Sequence, residues 1–150
     1  MDRRRFLLTS LAGAVAGPLA VEAHQAATVP RIGFLTMINL AAAPHAPESF
    51  RQGLRDLGYV EGRNVVIEYR DAEGKPERLP ALAAELVRLK VDIIVAEATQ
   101  GVAAAKTATE TIPIVMISGS ADPVGLGFIA SLARPGGNVT GLAGLDEGLP

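Results

Sequence analysis

What most restricts the folds open to this chain is a recurring order of segments: a short run of aliphatic, largely β-branched residues, a polar loop, then a stretch with helical spacing. Residues 111–141, TIPIVMISGSADPVGLGFIASLARPGGNVTG, carry the whole plan. Ile112 to Ile117 is nearly all apolar, which suits a parallel strand covered on both faces. Ser118, Gly119 and Ser120 close it. Asp122-Pro123 reads as a helix start, because Asp accepts from free first-turn amides and proline at the first helical position sacrifices no hydrogen bond. Leu126, Ile129, Ala130, Leu132 and Ala133 then recur at helical spacing, and Pro135-Gly136-Gly137-Asn138 ends the run before a strand from Val139.

The upstream chain repeats this order. Residues 31–37 predict a first strand, with Gly33 allowing close backbone approach and Thr36 at the carboxyl end. A loop over 38–47 without a strong cap leads to a helix whose apolar side is Phe50, Gly53, Leu54 and Leu57 and which Gly58 stops. Residues 65–69 predict a second strand, placed at a sheet edge by Glu68 and Arg70. Leu79, Leu82, Ala83, Leu86, Val87 and Leu89 form the clearest helical stripe, and residues 91–96 a third strand. Thr99 reads as the cap of a helix over 100–109, with Lys106 near its carboxyl end, where a cation suits the dipole. The alternation predicts an α/β fold: a doubly wound parallel sheet with right-handed crossovers and the flavodoxin-like order 2-1-3-4-5.

That order places a ligand outside the carboxyl ends of the strands, at the switch point between strands one and three. The candidate binding residues are therefore Thr36 and Met37 after the first strand, Glu97, Thr99 and Gln100 after the third, and Ser118, Ser120 and Asp122 after the fourth. Helix amino termini near Thr99 and Asp122 would favour a carboxylate. Asp122 or Glu97 would take an ammonium group, so the expected ligand is a small polar metabolite of the amino-acid type. A capped helix and an ordinary turn account for the same local pattern without a ligand.

Composition excludes other classes. With 49% hydrophobic and 20% charged residues the chain suits one globular domain, and a formal net charge of −2 with 4% aromatics gives nucleic acid no basic or stacking surface. There is no cysteine, and two histidines, His24 and His45, do not build a metal cluster, so neither metal nor cofactor is expected. G-x-G-x-x-G, the phosphate-binding loop and G-x-S-x-G are all missing. Ser118 and Ser120 have no histidine near them in sequence, and Asp122 reads as a cap rather than as the acid/base partner of Glu97, which would meet a ligand cation or face water. No enzyme activity is expected; catalysis on the same scaffold remains the alternative.

Residues 1–23 are a separate object. Arg3-Arg4-Arg5 precedes an apolar run from Phe6, and Val21-Glu22-Ala23 places small residues at the −3 and −1 positions of a signal-peptidase site. Arg3-Arg4-Arg5-Phe6-Leu7 matches the twin-arginine order R-R-x-F-L, with Asp2 and Leu8 departing from the usual flanks; a plain secretory signal is the alternative. The expectation is a cleaved twin-arginine-type signal over 1–23, a flexible terminus over 24–29 and a soluble, periplasmic product.

Four further stretches carry a family resemblance: FRQGLRDLGY at 50–59, LPALAAELV at 79–87, TIPIV at 111–115 and SLARPGGNVTG at 131–141. Together they resemble the substrate-binding proteins of ABC transporters related to the tryptophan/tyrosine-binding group. The resemblance implies one lobe of a periplasmic-binding-protein fold over residues 30–145, a crossover toward a second lobe from 146–150, a small-molecule ligand closed between two lobes, a transient transporter permease partner and a monomeric state. Glu97-Ala98-Thr99-Gln100 departs from the family, which more often has a small Gly-Thr-Pro-like turn there. A sensor lobe that binds a signal without transport is the second reading.

Overall fold

The computed structural model describes residues 28–119 and 122–144. The described elements run β1 (Arg31–Thr36), α1 (Glu48–Asp56), β2 (Val66–Asp71), α2 (Leu79–Arg88), β3 (Ile93–Glu97), α3 (Ala98–Ala108), β4 (Ile114–Gly119) and β5 (Val139–Ala143). All strand pairs are parallel and the order is β2-β1-β3-β4-β5, as the alternation predicts. β2 with its Glu68 and Arg70 does lie at an edge. The two signal-peptide readings, over 1–23, lie outside the described residues, as do Ser120 and the end of the chain from 145.

Because side chains alternate across a strand, each run of aliphatic residues feeds two cores. On one side Leu35, Ile94, Ala96, Ile114, Met116 and Val139 meet Leu79, Leu82, Ala83 and Leu86 of α2 and Val102 and Ala105 of α3. Gly33 is what lets α2 sit so close: a Cβ there would lie 3.0 Å from the Leu86 side chain. On the other side Ile32, Phe34, Val65, Ile67 and Val95 are covered by Phe50 and Leu54 of α1. This second cover is thin, since α1 has no fully buried residue and Leu57, expected on its core side, is 76% exposed. Leu57 follows the last helical residue, where Gly58 at φ 87° turns the chain and Tyr59 N–H closes back on Leu54 O at 2.8 Å.

Two expectations about helix starts need correction. No helix follows Asp122. Gly125 and Gly127, the latter at φ 70°, give up the backbone restriction that a helix needs, and the Phe128 and Ile129 amides both turn back to Pro123 O at 2.9 and 3.3 Å. Asp122 still caps, but a turn: its Oδ1 accepts from Gly125 N–H at 2.7 Å. Nor does Thr99 cap α3, which begins one residue before it, with Glu97 in the capping position and no side-chain cap bond. The entry to β5 is fixed instead by Asn138, whose Nδ2 donates to Thr109 O and Ile112 O at 3.1 and 2.9 Å.

Candidate functional site

The thinly covered side of the sheet opens, at the carboxyl ends of β1, β3 and β4, into a cavity of about 120 Å3. Thr36, Glu97 and Ser118 line it from the three strand ends, and Ser49 and Phe50 close it from the first turn of α1. Phe34 and Ile117 form its apolar floor, with the 38–47 loop as its outer rim. That loop is held by its own polar groups: Asn39 Oδ1 accepts from the Ala41 and Ala42 amides at 3.0 and 3.1 Å, and Asp71 Oδ2 accepts from Leu40 N–H at 3.2 Å.

The polar centre is a pair from neighbouring strands. Thr36 is fully buried; its hydroxyl donates a short hydrogen bond to Glu97 Oε2 and accepts from Ile38 N–H at 3.0 Å. The hydroxyl thus fixes both the turn after β1 and the Glu97 rotamer. Phe34 and Phe50 pack with ring centroids 5.2 Å apart, Phe34 and Tyr69 at 5.8 Å. Burial raises the Tyr69 phenol above its usual range, and Glu61, whose carboxylate it meets at 3.2 Å, adds to the rise.

The backbone is unusual at two of the three strand ends. Ala98 after β3 and Ser118 in β4 hold positive φ, 60° and 48°, a region that L side chains seldom occupy. Such conformations cost of order 1–3 kcal/mol each and gather at sites where the surrounding structure enforces them. Ser118 lies within a register shift, where β4 advances from Met116 to Gly119 while β5 advances only from Gly141 to Ala143. One extra residue in a strand bends it and re-aims its side chains. Gly141 sits opposite at φ 134°, with no room for a Cβ beside the Met116 backbone.

Of the candidate residues the structure gathers Thr36, Glu97 and Ser118. Met37 turns to the other side of the sheet and packs against the core under α2 and α3. Gln100 is exposed and lines a separate groove between those helices, Thr99 lies partly buried in the first turn of α3, and Asp122 caps its turn. Ser120 lies outside the described residues. His45 is exposed, and among the described residues no cluster of three or more metal-ligating side chains occurs. Ser49 and Phe50 are additions that the sequence reading missed. Their signal was weak: α1 begins at Glu48 after Pro47 with no side-chain cap bond to mark its start.

A switch-point cavity over a parallel sheet of order 2-1-3-4-5 is the arrangement of a doubly wound ligand-binding domain, and the similar solved structures show it as one lobe of a periplasmic-binding-protein fold. The sequence profile described as ABC transporter substrate binding protein matches residues 31–148, and the chain belongs to that family. It is 36% identical over 110 residues to a tyrosine-binding protein of Clostridioides difficile, covering 73% of this chain and 32% of that protein. A conserved domain protein of Vibrio cholerae superposes with a TM-score of 0.72 at 33% identity, over 79% of this chain and 40% of that one. A Streptococcus domain solved in complex with L-Trp gives 0.68 at 28% identity, over 76% and 38%. The chain thus spans well under half the length of these relatives.

Proposed function

We propose that this chain is the ligand-binding lobe of the extracytoplasmic solute-binding component of an ABC importer, and that its ligand is a small polar metabolite of the amino-acid type. The observation that carries the reading is the convergence of Thr36, Glu97 and Ser118 on one cavity at the switch point of a family-typical sheet. The tyrosine-binding relative and the L-Trp complex support the ligand class. A cavity of about 120 Å3 is well below the roughly 300–1,000 Å3 of complete small-molecule sites, so it receives one end of a ligand and a second lobe supplies the remaining wall. Thr99 and Asp122 belong, in this reading, to the rim around that end, whereas Met37 faces the core on the other side of the sheet and Gln100 the groove between α2 and α3.

Delivery across the membrane follows from the twin-arginine signal, whose test is replacement of Arg3 and Arg4 by Lys: accumulation of precursor is expected, and unchanged export refutes that route. The partner in the membrane is a permease, engaged transiently by a monomer. For the binding function itself, a thermal-shift screen with amino acids and small organic acids is decisive, because a solute that binds only the native state raises the melting temperature. Ser118→Ala should then weaken the positive solute by about 0.5–1.5 kcal/mol, the worth of one neutral hydrogen bond, without unfolding the lobe. Undiminished affinity would move the site elsewhere.

A further inference from the structure

Among the described residues, Glu97 is the one ionisable side chain lining the cavity. It is partly buried, it accepts the Thr36 hydroxyl proton through Oε2, and among the described residues neither a cation nor a donor meets its Oε1. A carboxylate drawn out of water without a cation is costly, and the lining beside it includes Phe34 and Phe50, aromatic rings that attract a positive charge at their faces. The rest of the lining offers the hydroxyls of Ser49 and Ser118 as further acceptors for N–H donors. Of the other acidic residues near the strand ends, Asp71 is engaged by Leu40 N–H and Asp122 by its own turn, and neither lines the cavity.

Resting on the reading of this chain as a solute-binding lobe, we propose that Glu97 selects the ligand: it is the counter-ion of a protonated amine, and Thr36 is the positioning residue that holds its carboxylate toward the cavity. The cavity end of the solute is therefore a cationic nitrogen, and acids lacking one are rejected by like-charge repulsion at Glu97.

The test compares three matched probe sets on the purified chain by NMR titration, which reads weak binding: L-tryptophan and L-tyrosine, their deaminated acids, and tryptamine with tyramine. The amino acids and amines should bind about tenfold or more tightly than the deaminated acids, as expected for a partly desolvated charge pair. Glu97→Gln, isosteric and uncharged, should remove that preference by weakening the amines while leaving or improving the acids. Thr36→Val, which keeps the shape but frees the carboxylate rotamer, should reduce the preference only in part. Equal binding of acids and amines by the unaltered chain overturns the assignment and needs no variant to fold. So does an unchanged preference in Glu97→Gln. Binding of acids alone overturns the Glu97 assignment while the solute-binding reading stands; binding of none of the six overturns both.

Discussion

The two faces of this sheet are built from the same strands yet are covered unequally. Among the described residues, the side of α2 and α3 holds one continuous buried cluster of sixteen, helix residues included, with Leu35, Leu86, Ile94 and Ile114 each fully buried. Under α1 lie five, and the helix itself buries nothing completely. The cavity opens on the thin side. Tight packing leaves no room for a solute and no freedom to admit one, whereas a half-covered face has both, at a cost in stability that the other face offsets.

If this division of labour is right, the largest loss should come from the closed side. Leu86→Ala removes a fully buried side chain pressed against Gly33, and a loss of about 2–5 kcal/mol in denaturant unfolding is expected. Phe50→Ala on the open side removes a larger side chain that is only partly buried, so the expected loss is smaller, about 1–2 kcal/mol against the 3–5 of a full core phenylalanine. Equal losses would dissolve the comparison. Phe50→Ala should also enlarge the cavity and weaken solute binding, which Leu86→Ala in a still-folded sample should not.

A smaller effect tests the strained strand ends. Ala98→Gly relieves a left-handed backbone while loosening the unfolded chain, so it should leave stability within about 1 kcal/mol of the parent, whereas Ala105→Gly in the buried middle of α3 should cost at least about 1 kcal/mol. A large loss at Ala98 would mean that its methyl group, not its conformation, matters. The smallest expected effect is in alkali. Because the Tyr69 phenol is raised in the folded state, the folded chain prefers it neutral; that preference is fully present below the ordinary phenol range near 10 and fades as pH rises through the folded value. Tyr69→Phe should flatten the decline in stability above that range, and an unaltered decline would exclude Tyr69 as its source.

The strands, their parallel order and the edge position of β2 were legible because each rests on local chemistry: alternating or continuous aliphatic runs, glycine stops, and Glu68 and Arg70 inside β2. The helix after Asp122 was not. Its apolar residues do recur at helical spacing, but spacing cannot weigh two glycines against a distant backbone, and the chain used Pro123 O to close turns instead. Ile129 and Phe128 reach the core all the same, through a coil rather than a helix.

The candidate site divides along the same line. Sequence order alone determined that Thr36, Glu97 and Ser118 end three strands, and parallel pairing requires those ends to lie together. Which side each faces was decided by the tertiary structure. A strand's alternation sends Thr36 to one side and Met37 to the other, and a start of α3 at Ala98 carries Gln100 round to the groove beside α2. The extra residue in β4 bends Ser118 toward the cavity, and no periodicity in the sequence marks it, because a bulge is a mismatch between two strands and exists only once both are paired. Ser49 and Phe50 come to the same place for a similar reason: Phe50 packs on Phe34, which packs in turn on Tyr69, residues sixteen and nineteen positions away from Phe50 in the chain.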